Sequence, residues 1–474
     1  MTDKDFSRYN LIAGWLVFAI ALVTYSLTVE PTVSFWDCGE YIATSARLEV
    51  GHPPGAPFFQ MMGAFIAAFA PNSDKIALMV NYMSVLSSAF TVLFLYFIIV
   101  NLTKKIALRE ATTLSHSQII AVMGSGVVGA LAYTFSDSFW FNAVETEVYG
   151  MAMLFISVMF WLGIKWTDSL HEPRGDRWLL LISLLVGLSF GVHFMALLTI
   201  PAIGMLYFFN SNYKKTAVNF ILANVISIAI LLLIFKLILP YTLAYFGYLE
   251  VFFVNSFGMP FNSGTIIAGL SVIAFFYFTL NYAYKKNKVR LQTGILCLLF
   301  IFIGFSSWLM IPIRANANTV INENSPTDAR LLLAYYNLEQ YPETHLFYGP
   351  MYTDKYAGID PEHPYEDAKP KYERDYKLGK YVIVNNYKNA QTASNRAQMG
   401  FLPRMWSAQH AANYMKLTGN PPFKITEEAY ADPQAYQLLQ SIQQQMAVRA
   451  MPPERYDQFL MQFRDEVEVQ KPTF

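Results

Sequence analysis

Charge is scarce in this sequence. Only 14% of its 474 residues are Asp, Glu, Lys or Arg, against about a quarter in a soluble globular protein. The few charges balance at 34 of each sign, so no basic excess offers a nucleic acid a footprint, and nucleic-acid partners are excluded. Cysteine is almost missing: Cys38 and Cys297 alone exclude a disulfide-stapled fold and a cysteine metal cluster. No Walker loop, H-E-x-x-H or C-x-x-C is present, which leaves ATP hydrolysis and zinc chemistry without support. What is abundant is apolar. Hydrophobic residues make up 54% and aromatics 16%, far too much for disorder, and the composition reads as an all-α polytopic membrane protein.

A membrane-crossing helix needs about 20 mostly apolar residues. Such runs occur at 11–29, 76–102, 118–135, 148–164, 216–235, 264–284 and 291–313. A further run, 178–209, is too long for one ordinary span, and its middle carries Gly187, Gly191 and His193, with Pro201 beyond. Loop charge decides between one long helix and two short ones, because cytoplasmic loops are rich in Lys and Arg. Two short helices put Lys4, Arg8, Lys104, Lys105, Arg109, Lys165, Arg174, Arg177, Lys214, Lys215, Lys285, Lys286, Lys288 and Arg290 inside, with only Arg47 and Lys75 in the short outside loops. That is fourteen against two; one long helix gives eight against eight. The expectation is therefore nine spans, with the N terminus cytoplasmic and the first span a retained signal anchor. Residues 1–313 form the transmembrane domain. Residues 314–474 form an α-rich segment on the outer face, periplasmic in a bacterial inner membrane, which is the expected setting, and lumenal in a eukaryote.

The chemistry-bearing residues gather on the outer side. The first outer loop, 30–75, contains Trp36-Asp37-Cys38-Gly39-Glu40 and Gly51-His52-Pro53-Pro54-Gly55. Residues 38–49 predict a surface helix, and 58–70 an apolar helix too short to span, lying at the interface. Asp37 and Glu40 share a helix face. They suit a capping box, but equally a carboxylate beside a dry cavity, whose raised pKa would make it a general base. His52 stands in a turn that fixes its direction. The outer loop 136–147 adds Asp137, Glu145 and Glu147 with no base, which predicts an acidic pocket shared with Asp37. Solvated acids are the plain alternative. His193 sits at the break between the short helices, where a satisfied interfacial histidine is the ordinary use. Lys236 is placed to snorkel. Arg314 follows the last span, able to clamp a phosphate or simply to anchor a helix. Gly124-Ser-Gly126-Val-Val-Gly129 matches a dinucleotide fingerprint but lies inside a span, so it predicts close helix packing. In the outer segment, helices are predicted from 327/328 to 338, at 434–450 and at 453–463, with irregular structure over 341–390.

The two motifs of the first outer loop resemble the domain-of-unknown-function 2723 family, relatives of the protein O-mannosyltransferases in the GT-C superfamily of integral membrane glycosyltransferases. Glu145-Thr-Glu147-Val-Tyr149, Gly191-Val-His193, Arg314-Ala315 and Phe401-Leu-Pro-Arg404-Met-Trp406 fit the same pattern. The resemblance implies a GT-C-like fold and a polyprenyl-phosphate sugar donor, with transfer of a sugar such as mannose to the hydroxyl of an outer-face protein. Asp37 would take the acceptor's proton, Arg314 would face the phosphate, and Glu40, His52, Glu145, Glu147 and His193 would line the pocket. Cys38 departs from a common serine. Relatives commonly continue with more spans and a helical-repeat region, so the resemblance implies a shortened form. No ligand spacing compels a divalent metal, though carboxylates beside a phosphate can hold Mg²⁺ or Mn²⁺. The expected partners are the lipid-linked sugar, a protein acceptor and membrane lipids. The competing readings are a transporter or lipid-binding protein, which would need polar groups mid-span, and an outer-face scaffold with purely structural acids.

Overall fold

The computed structural model describes residues 3–109, 112–341, 345–402, 404–448 and 450–472. The chain divides into two compact units, Met1–Gln340 and Tyr341–Phe474. Residues 314–340 thus pack with the helical unit.

The first unit is helical. Its elements are α1 (Asp3–Thr28), α2 (Cys38–Arg47), α3 (Pro57–Ala67), α4 (Ile76–Ala107), α5 (His116–Thr134), α6 (Asp137–Ala143), α7 (Val148–Asp168), α8 (Arg177–Ser189), α9 (Thr199–Asn210), α10 (Ala217–Leu232), α11 (Leu239–Phe257), α12 (Ser263–Lys285), α13 (Val289–Phe305), α14 (Met310–Asn316) and α15 (Ala329–Tyr336). Among the described residues, seven helices are long and apolar enough to cross a membrane: Asp5–Thr28, Ser73–Ala107, His116–Thr134, Val148–Asp168, Ala217–Phe257, Ser263–Lys285 and Val289–Asn316. The run 178–209 does form two helices, but Arg177–Ser189 and Phe194–Asn210 are both shorter than an ordinary span. The described residues thus give a multi-pass membrane protein with seven candidate spans and two shorter apolar helices in the run 178–209.

Packing follows small residues. α4 is flanked by α1, α5 and α7, and α8 lies along α13. Gly187 and Gly304 let the α8 and α13 backbones meet, since a Cβ on either would strike the other helix's main chain. Gly126 and Gly129 of the discarded fingerprint do the same for α5, against Tyr96 and Val100 and against Ile99. Outward faces stay apolar, as on α10, where Val218, Ile221, Val225 and Ile226 are exposed, the pattern of a helix meeting hydrocarbon.

Two differences from expectation have clear causes. The run at 216–235 does not stop: a π-helical turn over Leu233–Ile238 joins α10 to α11. Pro240 lacks an N–H and its ring crowds the preceding turn, which widens the ladder there. Beyond it, Leu239, Leu243, Gly247, Glu250 and Val254 recur at helical spacing and are buried. Loop 136–147 also contains the short helix α6.

The second unit adds short strands to the α-rich segment expected there. Four two-stranded antiparallel ladders form from β1 (Tyr348–Pro350), β2 (Tyr365–Glu366), β3 (Lys371–Asp375), β4 (Lys380–Asn385), β5 (Gln391–Thr392), β6 (Met399–Phe401), β7 (Phe423–Ile425) and β8 (Val467–Val469). The aromatic and β-branched run Tyr381-Val-Ile-Val384 and the Asp375–Gly379 turn carry the clearest hairpin. Helices α16 (Asp354–Ala357), α17 (Ala411–Thr418), α18 (Pro433–Val448) and α19 (Pro453–Gln462) complete the unit. The last two match the predicted helices, whose position 449 lies outside the described residues. Tyr352, Met415, Phe423, Leu439, Tyr456 and Phe459 centre its core.

Candidate active site

Helix α2 begins where the motif predicts, yet the capping reading fails. Asp37 occupies the N-cap position without a side-chain cap hydrogen bond, and Glu40 turns away from the helix start. Glu40 Oε1 accepts from the His52 backbone N–H at 2.5 Å, and Oε2 lies 3.0 Å from His52 Nδ1. The other face of the imidazole meets Asp37, Nε2 to Oδ2 at 3.8 Å. Both carboxylates are thereby directed to one histidine. The Asp37 side chain stays 58% exposed while those of Glu40 and His52 are 27% and 23% exposed, so Asp37 is the member a substrate can reach.

The turn behind them is built for this. Gly55 N–H closes on His52 O at 2.9 Å with φ +69°. A Cβ at Gly51 would stand 2.6 Å from Glu40 Oε1, so only glycine lets the carboxylate in. Burial alone would raise the Glu40 pKa, but the hydrogen bonds from His52 outweigh it and hold Glu40 below its ordinary value. The Glu40 hydrogen bond in turn raises His52, against burial and with help from the charges of Glu40, Asp37 and Glu323. The two carboxylates thus favour the protonated form of the imidazole between them.

The second acidic loop reaches the same place. Glu145 and Glu147 are buried rather than solvated. Glu145 accepts from the Ser34 hydroxyl. Glu147 Oε1 lies 3.5 Å from Cys38 Sγ, one residue from Asp37. Burial, with the charges of Asp37 and Glu145, pushes Glu147 up to about 7 despite the thiol hydrogen bond. Burial and the Glu147 and Glu145 charges raise Cys38, which keeps its proton and donates it. Asp137 is exposed at the start of α6 and makes no contact with the other acids among the described residues. His193 is reached through Tyr149, ring centroids 5.3 Å apart. Its Nδ1 accepts from Met195 N–H at 3.1 Å, which leaves Nε2 as the protonated nitrogen.

Arg314 does different work from that of a bare anchor. Its Nε donates to Leu48 O at 2.5 Å and its Nη2 to Arg47 O at 3.2 Å, so it caps the last carbonyls of α2. The chain after it continues the clamp. Val50 pairs with Asn322, and the Tyr335 hydroxyl donates to Gly51 O at 2.6 Å and His52 O at 3.2 Å.

Several members were not singled out from sequence. Asn81 donates to Glu30 O and Thr32 O and accepts from Thr146, tying both acidic loops to α4; its signal was an amide inside an apolar run. Tyr41 packs against His52 at 5.6 Å. Trp36, with left-handed φ of 62°, presents an 87% exposed ring next to Asp37. Such a backbone is a true outlier for a bulky residue. Among the described residues, no three His, Cys, Asp or Glu side chains gather into a set that could hold a metal ion.

Part of the chain is similar to known proteins. Residues 37–217 match the family described as the protein O-mannosyl-transferase TMEM260 N-terminal domain, and residues 342–474 match a family of unknown function, DUF8416. Over 153 residues the chain is 28% identical to protein O-mannosyl-transferase tmem260 of Dictyostelium discoideum, covering 32% of this chain and 17% of that protein. The mouse protein O-mannosyl-transferase TMEM260 is 24% identical over 153 residues, 32% of this chain and 19% of its own. The matches thus span under a fifth of these relatives' length. No solved structure matches the chain. The likeness to protein O-mannosyltransferases is borne out over residues 37–217, which hold Asp37, Glu40, His52, Glu145, Glu147 and His193.

Proposed function

We propose that this chain is an integral membrane glycosyltransferase. It moves a sugar, mannose by its likeness, from a polyprenyl phosphate to a Ser or Thr hydroxyl of a protein on the outer face. The observation that carries the reading is the exposed Asp37 carboxylate, held by a helix start it does not cap and backed by the His52–Glu40 pair. In the reaction, Asp37 accepts the hydroxyl proton as that oxygen attacks the anomeric carbon. The bond from that carbon to the lipid phosphate breaks, and the phosphate leaves with the electron pair. His52, whose pKa is raised, stands 3.8 Å from the Asp37 carboxylate. Glu147, raised to about 7, carries a proton in about half of the molecules near neutral pH and can then present a donor to an arriving phosphate. Arg314 has two nitrogens committed to α2 carbonyls, so its service to the phosphate runs through the remaining edge of the guanidinium.

A lipid-linked donor is supported by an apolar cavity of about 840 Å³ between α7, α8, α9, α10 and α13. Its α10 wall runs from Asn219 to Ile230, and Leu233, Ile234 and Ile238 extend it through the π turn. At 1.5 Å per residue that is about 28 Å, close to the roughly 30 Å of a hydrocarbon core. A phospholipid chain reaches only the midplane; a long isoprenoid tail fills the depth. On this reading α8 and α9 are short spans either side of His193, which restores nine crossings, with the N terminus cytoplasmic and the acidic loops periplasmic in a bacterial inner membrane.

The test is transfer by purified protein from polyprenyl-phosphate mannose to envelope acceptor proteins, read by mass spectrometry. Turnover that disappears in Asp37→Asn while donor binding persists is the expected result. Unchanged turnover in Asp37→Asn overturns the assignment of the base, and neither turnover nor donor binding by the native chain overturns the enzyme.

A further inference from the structure

Helix α15 ends in the pair Tyr335-Tyr336, and the two hydroxyls reach different elements. Tyr335 donates to Gly51 O at 2.6 Å and His52 O at 3.2 Å, in the turn that aims the imidazole. Tyr336 donates to Phe235 O at 3.0 Å, inside the π turn Leu233–Ile238. Both side chains are buried. A buried hydroxyl has no water to exchange for its acceptor, so each contact holds its partner in place.

The Phe235 carbonyl needs such a donor. A π ladder runs from each C=O to the N–H five residues on. For Phe235 that residue is Pro240, which has no N–H. Tyr336 thus supplies from outside the hydrogen bond that the helix cannot make. Its ring is fixed by Trp308, Phe194 and Phe190, at centroid distances of 5.2, 5.7 and 6.4 Å.

The side chains of the same π turn face the apolar cavity: Leu233, Ile234 and Ile238 all line it. Whatever fills the cavity therefore presses on the turn that Tyr336 grips. The two tyrosines move together, because α15 is a short helix pinned at its start by Asp328, which accepts from Arg330 and Leu331 N–H. It also lies on α11, where a Cβ at Gly247 would stand 2.6 Å from Arg330 Cγ. A continuous path runs from the cavity wall through Phe235 O, Tyr336 and Tyr335 to Gly51 and His52.

We infer that α15 is a strut between the cavity and the catalytic turn, and that Tyr336 and Tyr335 are positioning residues through which a seated isoprenoid tail sets the placement of His52. The inference rests on the proposed seating of the donor's tail in the cavity. It adds that the acidic site responds to the tail as well as to the sugar phosphate.

The experiment uses the full chain in nanodiscs with histidine carrying a carbon-13 label at Cε1, the His52 signal being the one lost in His52→Gln. The probe is a long polyprenol, a tail with neither phosphate nor sugar. Its seating is read separately, by crosslinking a diazirine-bearing polyprenol to α10 peptides. In the native chain the tail should crosslink to α10 and shift the His52 signal. Tyr336→Phe keeps the ring and loses only the hydroxyl; the crosslink should persist while the shift falls about threefold or more. Tyr335→Phe should do the same by cutting the path at its other end, and each variant stands without the other. A purely structural tyrosine would move the resting His52 signal but leave its response to the tail intact. A crosslinked tail with an unmoved His52 signal in the native chain overturns the coupling and leaves the donor cavity standing. A full response in Tyr336→Phe overturns the route through α15. No crosslink to α10 in the native chain overturns the donor cavity itself, and the coupling with it.

Discussion

Two titrations at the site point the same way. Glu147 is raised from 4.5 to about 7 by burial. The folded state therefore binds more protons than the unfolded one between those values, and stability falls as pH rises through that window. His52 is also raised, chiefly by its Glu40 hydrogen bond. Its contribution is complete below its unfolded value of 6.5 and is lost as pH rises through the folded value. Glu40, held low by His52, acts oppositely and only in acid: its contribution is present above 4.5 and lost as pH falls through the folded value. Thermal unfolding in detergent should show Tm falling from pH 5 to 8. Glu147→Gln, neutral at every pH, should flatten the part of that slope below about pH 7. A slope unchanged in Glu147→Gln would show that Glu147 does not hold the proton. Arg314 gives a second residue-scale test. Arg314→Ala leaves the Arg47 and Leu48 carbonyls without their donor, at a cost of about 2 kcal/mol, read as a lower Tm. Activity should fall with it, because the α2 end and the Gly51–His52 turn are clamped by the same segment.

The elements show what could be read in advance and what could not. α2, α3, α15, α18 and α19 were legible because each has a local signature, such as Asp328 accepting from Arg330 and Leu331 N–H at the start of α15 or Pro453 opening α19. The break at Gly191–His193 was legible from loop charge. The continuation through Pro240 was not, because a proline in a run reads as a stop when the widening of the turn beneath it is invisible. Nor were the short ladders of the second unit, whose two- and three-residue strands are too brief for alternation to register. At the site, motif spacing brought out the carboxylates and His52. The linking groups Asn81, Tyr335 and Ser34 act through backbone partners or loops distant in sequence, and no local pattern marks them. Close helix contact also belongs at this scale. Gly187→Ala puts a methyl against the α13 main chain, and overpacking of that kind costs ~1–3 kcal/mol. Tm should drop, whereas Gly124→Ala, with open space around it, should leave Tm unchanged.

At the scale of the whole molecule, the first unit joins two environments that a lipid-linked reaction needs together. The acidic cluster is polar and reachable. The cavity between α8, α9, α10 and α13 is apolar and lined along α10 from Asn219 onward. Beside the cavity wall lies an aromatic group: Phe235 packs on Phe190 and Phe194, and His193, neighbour of Phe194, packs on Tyr149, two residues from Glu147. If the cavity seats the isoprenoid tail, filling it must weaken donor binding without touching the chemistry. Ala223 lines the α10 wall, far from Asp37 in the chain. Ala223→Trp should raise KM for a full-length polyprenyl-phosphate sugar about tenfold, ~1.4 kcal/mol of lost binding, with kcat unchanged. A donor with a tail of one or two isoprene units leaves the deep part of the cavity empty, and its KM should be the same in both proteins. Equal KM values for the long donor in native and Ala223→Trp protein would remove the cavity from the donor's path, and a fall in kcat with the short donor would mean that the substitution had disturbed the site itself.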